Sequence, residues 1–185
     1  GRGLHITLIH RQKPRPMSDT TGRDLPKKPL SIEDCFQLAE ASHAAGDASA
    51  FCAVLDTIVA RTIGHRLFTI SRFYPDSMEL ERVYSSDPAA YSVGGRKQKG
   101  GTPWSDMILR DGEIFLGRDN DAIRGAFDDH EKIIALGLGS IINVPIRRGT
   151  TVLGTMNSTH REGWYEDTDR DDARLLSTFL APWLT

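Results

Sequence analysis

Acidic side chains cluster before the last predicted helix, in the string Asp167-Thr168-Asp169-Arg170-Asp171-Asp172. Its alternate acids match the opening of a calcium-binding loop, in which positions 1, 3 and 5 supply carboxylates. The pattern then fails, because Asp172 stands where the loop needs glycine and Thr178 where it needs a bidentate glutamate. Acids in the first turn of a helix suit the helix dipole, so the string predicts a helix start rather than a metal site.

Other residues with reactive side chains also lack the partners that their chemistry needs. His130-Glu131 has no second ligand at helical spacing, as a zinc site would require. The glycines of residues 93–101 do not form a phosphate-binding loop, and no serine nucleophile motif is present. Cys35 and Cys52 fall on apolar faces of predicted helices, which indicates two buried thiols in a reducing compartment. We therefore predict no catalytic residue, no metal and no cofactor.

Residues 140–146, with the sequence SIINVPI, form an apolar run that predicts a buried strand in spite of a polar amide and a proline. A buried amide costs free energy unless its groups are paired, and proline removes one hydrogen bond of a sheet. We expect Pro145 to lie near a hairpin end, where no partner faces its nitrogen. Asn143 either pins neighbouring backbone or contacts a bound small molecule, and the sequence leaves both open.

Hydrophobic periodicity and capping residues predict the order of elements. Helices are expected over residues 32–45, capped by Ser31, and 47–63, followed by strands over 65–74 and 79–86. The further predicted elements are an exposed, mobile loop over 87–101, a short helix from Thr102, a strand over 113–117, a helix over 120–136 broken near Asp128, strands over 140–146 and 151–159, and a helix from about residue 168. Strands joined as hairpins, with helices at both ends of the chain, indicate an antiparallel sheet and an α+β fold.

The hairpin of residues 140–159 is predicted to have two different faces. A three-residue loop, Arg147-Arg148-Gly149, with Gly149 left-handed, pairs odd-numbered with odd-numbered residues and keeps the hydrophobic pattern in register. The face expected to pack on the terminal helices carries Ile142, Val144, Ile146, Val152 and Met156. The other face carries Ile141, Asn143, Leu153, Thr155 and Asn157.

A family pattern also runs through this part of the chain: a small residue, an apolar strand ending in Val-Pro-hydrophobic, a turn, hydrophobic-Gly-x-hydrophobic, and an aromatic and an acidic N-cap before the last helix. The residues that match are Ser140, Val144, Pro145, Ile146, Leu153, Gly154, Met156, Trp164, Tyr165 and Asp167. This segment resembles the C-terminal half of a GAF domain. With HRLFTISRF as the first strand, the resemblance covers roughly residues 47–184.

The resemblance implies a profilin- or PAS-like central antiparallel sheet of five or six strands within a single domain over residues 31–185. Terminal helices would cover one face of the sheet, and loops and short helices would close a small-molecule pocket over the other. GAF domains bind cyclic nucleotides, bilins, haem, amino acids or metabolites, and they often dimerise through their terminal helices.

The specialised chemistries of the family find few matches in this sequence. Bilin attachment and methionine sulfoxide reduction need cysteines near the pocket, whereas Cys35 and Cys52 belong to helices on the other side of the predicted sheet. The cyclic-nucleotide signature is not recognisable. His65, His130 and His160 are the candidate axial ligands for a haem, and each is better explained as a structural or exposed histidine.

Aromatic walls with a few polar anchors are typical of ligand pockets. Eight residues are predicted to form such a pocket: Tyr84, Trp104, Phe115, Arg118, Phe127, Asn143, Thr155 and Asn157. Arg118 either holds a ligand carboxylate or phosphate or pairs on the surface with Asp119 or Asp121. We expect a stand-alone sensory domain that binds an unknown small molecule and has no catalytic chemistry of its own. The alternatives are a ligand-free protein interaction module and an unrecognised enzyme.

Composition and charge set the remaining expectations. The 185 residues are 39% apolar and 26% charged, and no apolar run is long enough to cross a bilayer. Residues 1–30 carry seven Lys/Arg and two Asp and are predicted to be a flexible basic tail, whose first 16 residues come from an expression vector or an upstream reading frame. The remaining residues carry 16 Lys/Arg and 23 Asp/Glu, which argues against nucleic-acid binding. We predict a cytoplasmic homodimer, formed through the terminal helices, with no membrane partner.

Overall fold

The computed structural model describes residues 24–185. The predictions for residues 1–16 and for the rest of the chain before Asp24 lie outside the described residues. No helix in the described part combines the length and the apolar character that crossing a membrane requires.

Six α-helices are spread along the described part of the chain, and the sheet lies between them. They are α1 (Ile32–Ala44), α2 (Ala48–Thr62), α3 (Pro103–Ser105), α4 (Asn120–Ala126), α5 (His130–Ala135) and α6 (Asp169–Thr178). A π-helical turn, Asp106–Arg110, continues α3, and a 3₁₀ turn, Ala181–Trp183, follows α6.

The strands form one six-stranded antiparallel sheet in the order β3-β2-β1-β6-β5-β4. They are β1 (Leu67–Tyr74), β2 (Glu79–Ser85), β3 (Arg96–Gln98), β4 (Phe115–Gly117), β5 (Ser140–Arg148) and β6 (Thr151–His160). The predicted α+β class and the antiparallel sheet of five or six strands are confirmed. The predicted break near Asp128 is also present, since α4 ends at Ala126 and α5 begins at His130.

The helices at the two ends of the domain cover one face of the sheet, which we call the helix face. Ser31 caps α1, accepting from the Asp34 amide, and Asp47 caps α2, accepting from the Ala50 amide. The core on this face joins Leu55 of α2 and Leu176 of α6 to sheet residues such as Ile142, all at most 1% exposed. This is the covered face that the hydrophobic pattern predicts.

Gly64 follows the C-cap of α2 with a left-handed backbone, φ +80°, a conformation that commonly ends a helix. The Trp164 ring lies directly against it, and a Cβ on residue 64 would come within 2.7 Å of that ring. The Trp164 indole also donates to the Ile63 carbonyl, with 2.9 Å between nitrogen and oxygen. Glycine is therefore required here by backbone conformation and by packing.

The segment of residues 24–30, which the sequence analysis assigns to the tail, contacts the folded body. The Lys27 ammonium lies 2.7 Å from the Asp169 carboxylate and donates to the Trp164 carbonyl. The Asp24 carboxylate pairs with the Arg66 guanidinium at 2.7 Å. Contacts with the folded body therefore begin no later than Asp24, and the domain boundary at residue 30 stays a prediction.

The segment of residues 87–101, predicted to be an exposed and mobile loop, contains a strand and a buried aromatic side chain. β3 pairs with β2, so that Glu79 lies opposite Gln98. Tyr91 is only 8% exposed and packs with apolar residues of β1 and β5. Because the segment is rich in glycine and lysine, its sequence predicts a solvated loop and does not indicate that its single aromatic residue is buried.

The β5–β6 hairpin confirms the predicted odd-with-odd pairing and corrects the loop that produces it. Asn143 lies opposite Asn157, but a β-bulge shifts the register so that Ile146 pairs with Gly154 and Arg147 with Val152. The extra residue is Leu153. Gly149 is left-handed as expected, with φ +61°, yet Arg147 and Arg148 belong to the strand.

The bulge exchanges the faces of two neighbouring side chains relative to the prediction. Leu153 packs against the helix-face core, and Val152 packs with Leu80 and Trp104 on the opposite face. The reason is geometric: side chains alternate along a strand, and one extra residue reverses the alternation beyond it. The other residues predicted for the helix face, Ile142, Val144, Ile146 and Met156, are placed there.

Gly154 is the position where the sheet and the C-terminal segment approach most closely. A Cβ there would overlap the Ser71 carbonyl oxygen of β1 and lie 2.8 Å from the Leu184 side chain. We expect Gly154→Ala to destabilise the domain by about 3 kcal/mol or more, because backbone must move to admit the methyl group. Chemical denaturation measures this loss.

Gly125→Ala is the matched control, since Gly125 lies in α4 with no atom within 4 Å of the added Cβ. Alanine is the better helix former, so this variant should keep or raise stability, by up to about 1 kcal/mol. Equal effects of the two substitutions would show that the β1–β6 contact is not tight.

Candidate ligand-binding site

The face of the sheet opposite the helix face carries a cavity of about 260 Å³. Strands β1, β2, β5 and β6 form its floor, and the segment of residues 87–101, α3 and α5 form its cover. Two small apolar clusters flank it, one around Ile133 and Ile141 and the other around Leu80 and Trp104. We call this second face the pocket face.

A relay of hydrogen bonds runs across the floor of the cavity. The indole nitrogen of Trp104 donates to Oδ1 of Asn143 at 3.0 Å, and Nδ2 of Asn143 donates to Oδ1 of Asn157 at 2.8 Å. Nδ2 of Asn157 then donates to the hydroxyl oxygens of Thr155, at 3.1 Å, and Thr69, at 3.3 Å. Each amide therefore finds its partners within the protein, which is how a buried strand accommodates Asn143.

The wall formed by the segment of residues 87–101 is built around the Tyr91 ring. Nη1 of Arg82 donates to the Ser92 carbonyl at 2.9 Å, and the Lys132 ammonium donates to the Ala90 carbonyl at 2.8 Å. Both cations also lie over the Tyr91 ring, at 5.0 and 4.1 Å from its centroid. Burial raises the pKa of the Tyr91 phenol well above its ordinary value, so the hydroxyl keeps its proton at neutral pH.

The charged residues that line the cavity are mostly cationic. They are Arg82, Lys97, Lys99 and Lys132, against the single carboxylate of Asp129. Within the described part of the chain, the cavity included, no group of three or more His, Cys, Asp or Glu side chains is placed to hold a metal ion.

No family model matches the sequence, and a search of curated proteins gives no match. Solved structures are similar in fold. The GAF domain of a phosphoenolpyruvate-protein phosphotransferase from Coxiella burnetii superimposes with a TM-score of 0.68 at 12% identity, covering 82% of this chain and 90% of that one. The phycocyanobilin-bound GAF domain of a cyanobacterial phytochrome gives 0.62 at 16% identity, covering 84% and 97%.

The chain has a GAF fold. A third similar structure, the GAF domain of a sensor histidine kinase from Bacillus halodurans, gives a TM-score of 0.59 at 12% identity, covering 72% of this chain and 90% of that chain. At these identities the likeness concerns the fold. It confirms the GAF-like architecture expected from the sequence, with helices on one face and a cavity under the cover of the other.

Five of the eight residues predicted for the pocket line the cavity of this GAF fold: Trp104, Phe127, Asn143, Thr155 and Asn157. Phe115 does not line the cavity, and its ring lies 6.0 Å from that of Phe127. That any of them binds a ligand stays a prediction.

Tyr84 is misplaced by the prediction, because a second β-bulge lies beside it. The register of β1 and β2 passes from Ile70 opposite Tyr84 to Ser71 opposite Arg82, which leaves Val83 as the extra residue. Tyr84 consequently lies on the helix face, where its hydroxyl donates to the Asp56 carboxylate at 2.7 Å.

Arg118 also lies outside the cavity of the GAF fold. Its guanidinium is exposed and pairs at 2.5 Å with the Asp167 carboxylate. The surface ion pair considered in the sequence analysis is therefore correct in kind, although the partner is Asp167 rather than Asp119 or Asp121.

The wall formed by the segment of residues 87–101 together with Arg82 and Lys132, which we call the loop wall, was not predicted from the sequence. Arg82 follows Leu80 by two residues along β2, so the two side chains lie on the same face of the sheet. This spacing was the available signal for a cationic side chain on the pocket face. Tyr91 and Lys132 gave no comparable signal, because they come from a loop and from a two-turn helix.

Asn143→Leu is expected to lower the free energy of unfolding by about 2 kcal/mol or more in the absence of any ligand. The change leaves the Trp104 indole and the Asn157 carbonyl oxygen without partners, and each unpaired buried group costs about 1–3 kcal/mol. Chemical denaturation of the unliganded protein measures the loss.

A double-mutant cycle with Trp104→Phe provides the control for this assignment. If the two side chains share the bond seen here, their effects should be coupled by about 1 kcal/mol or more. Additive losses, or a neutral Asn143→Leu variant, would contradict a structural role for Asn143.

Proposed function

We propose that this chain is a sensory domain that binds a small molecule on the pocket face and acts in signalling without catalysing a reaction. The observation that carries the proposal is the cavity of about 260 Å³ between the sheet and its cover. The helix face is closed by a continuous core, whereas the pocket face has two separate clusters with this space between them. Aromatic walls and a few fixed polar groups are typical of ligand sites.

The similar structures support the signalling part of this proposal. They include GAF domains of a sensor histidine kinase and of phytochromes, and part of a methyl-accepting chemotaxis protein. A covalently attached bilin is not favoured in this chain, because Cys35 and Cys52 lie on α1 and α2, on the helix face. Burial and the nearby Asp56 charge raise the pKa of the Cys52 thiol to about 12, so this thiol is not a nucleophile at neutral pH.

A mixed library of small neutral, anionic and cationic molecules tests the proposed function by ligand-observed NMR. Ser71 lines the floor of the cavity beside Thr155, so Ser71→Phe should fill the space and abolish binding. Ser71→Ala leaves the space open and is the matched control. Circular dichroism establishes that both variants are folded.

Binding to the wild type and to Ser71→Ala, but not to Ser71→Phe, is the expected result. Failure of every library member to bind the wild type would favour the ligand-free interaction module instead. Binding that survives Ser71→Phe would place the ligand elsewhere.

We also propose a homodimer formed through the terminal helices. Ile32 and Phe36 lie one helical turn apart on α1 and are 60% and 63% exposed, and Leu25, in the segment before α1, is 65% exposed. A pair of exposed apolar side chains of this size on one face of a helix is typical of interaction surfaces. A second copy of the chain, related by two-fold symmetry, is the commonest partner for such a surface.

Sedimentation at micromolar concentration should show a dimer of the wild type and a monomer of Phe36→Glu. Val93→Glu is the control, since Val93 is an equally apolar, 51% exposed residue outside the helices. A monomeric wild type, or a dimer that Phe36→Glu leaves intact, would rule out this interface.

A further inference from the structure

Six buried side-chain polar atoms have no hydrogen-bond partner among the described residues, and two of them belong to residues that line the cavity. These two are Nε of Arg82 and the hydroxyl oxygen of Tyr91. Tyr91 is only 8% exposed, so water does not readily replace the missing partner. Buried polar groups are paired in the great majority of proteins, and each exception needs an explanation.

Both unpaired groups are hydrogen-bond donors. A guanidinium has five N–H groups and no acceptor, and a protonated phenol offers its O–H. The bond from Arg82 to the Ser92 carbonyl accounts for only one of those five groups. The bond to the loop therefore gives a structural role to one N–H group of Arg82, and its Nε remains without a partner.

The charge around these donors is also unbalanced. The cationic residues of the cavity, Arg82, Lys97, Lys99 and Lys132, form no ion pair with a carboxylate in the described part of the chain, although 13 pairs occur elsewhere in it. Asp129 influences both Arg82 and Tyr91 electrostatically but pairs with neither. A concave site lined by one sign of charge raises the local concentration of the opposite ion.

The sheet floor differs from the loop wall in that the amide groups of its side chains are hydrogen-bonded to one another. Its Trp104–Asn143–Asn157 relay is satisfied internally, so it offers a ligand contact area more than new hydrogen bonds. Phe127, edge-on to Trp104 at 5.7 Å between ring centroids, and Ile141 add apolar surface beside it. The cavity thus combines hydrogen-bond donors and positive charge with aromatic and aliphatic groups.

From this combination of groups, and resting on the proposed ligand-binding function, we propose that the ligand is a small organic oxyanion with an apolar body. Its carboxylate or phosphate oxygens accept hydrogen bonds from Arg82 and Tyr91 and are attracted by Lys132, and its apolar body lies against Trp104 and Phe127. Ligand pockets commonly measure roughly 300–1,000 Å³, and about 260 Å³ suits a molecule of one or two rings.

Titration calorimetry with benzoate, phenyl phosphate and cyclohexanecarboxylate tests the proposal, with benzamide and benzyl alcohol as neutral counterparts. At least one anion should bind wild-type protein, and at least tenfold more tightly than its neutral counterpart, since a bond to a charged acceptor is the stronger kind. Preference between the carboxylates and the phosphate distinguishes the two acid groups.

Tyr91→Phe is the most informative variant, because it removes only the unpaired hydroxyl. Its unfolding temperature should be unchanged or raised, since a buried unsatisfied group is lost, whereas anion affinity should fall about tenfold. Arg82→Gln should also weaken binding at least tenfold. Arg72→Gln is the matched control, because it removes the same charge from the neighbouring strand. Arg72 lies opposite Gly154, on the other side of the sheet from the cavity. The anion affinity of this variant should therefore match that of the wild type.

Equal binding of neutral and anionic probes would overturn the oxyanion assignment and leave the binding function standing. Unchanged anion affinity in Tyr91→Phe would overturn it as well, and that variant keeps the test decisive if Arg82→Gln does not fold. An equal loss in Arg72→Gln would show non-specific attraction to net charge. Absence of binding by every probe in calorimetry would overturn the assignment, and the mixed-library result with Ser71→Phe then decides the binding function separately.

Discussion

The donor-only indole nitrogen of Trp104 fixes the hydrogen-bond polarity of the whole sheet floor. Because this nitrogen cannot accept, Asn143 must present its oxygen to it and its amide nitrogen to Asn157. Asn157 must then direct its own nitrogen towards Thr69 and Thr155. One side chain of the cover thereby orients groups on three adjacent strands, and the cover and the sheet are fixed to each other.

That relay depends on which side chains reach the pocket face, and two bulges decide this. The hydrophobic alternation of the β5–β6 hairpin was sufficient to predict that odd residues pair with odd residues and that Asn143, Thr155 and Asn157 share a face. It was insufficient to place the extra residue at Leu153 in the strand instead of in the loop, because both arrangements satisfy the same pattern of apolar residues. Likewise, the alternation in β2 does not show that Val83 is skipped, so it does not place Tyr84 on the helix face.

The candidate site was predictable where it is made of regular strands and large aromatic residues. Trp104, with a helix start at Thr102-Pro103, and Phe127, at the break between α4 and α5, follow from local capping and composition. The position of Arg82 in β2 was predictable, but the cationic wall as a whole was not, because Arg82, Tyr91 and Lys132 meet only through tertiary packing. A stretch rich in glycine and lysine resembles a solvated loop, and nothing local distinguishes one that folds back over a sheet.

The two outermost strands, β3 and β4, have only three residues each. An exposed sheet edge is a template on which another chain can add a strand, and short or charged edges suppress this. β3 carries Arg96 and Lys97, so one border of the sheet is both short and positively charged. The other border ends at Gly117, where α4 follows almost at once. Fibrillar or strand-swapped assembly from either border is thereby disfavoured, even though β1, β5 and β6 are eight to ten residues long.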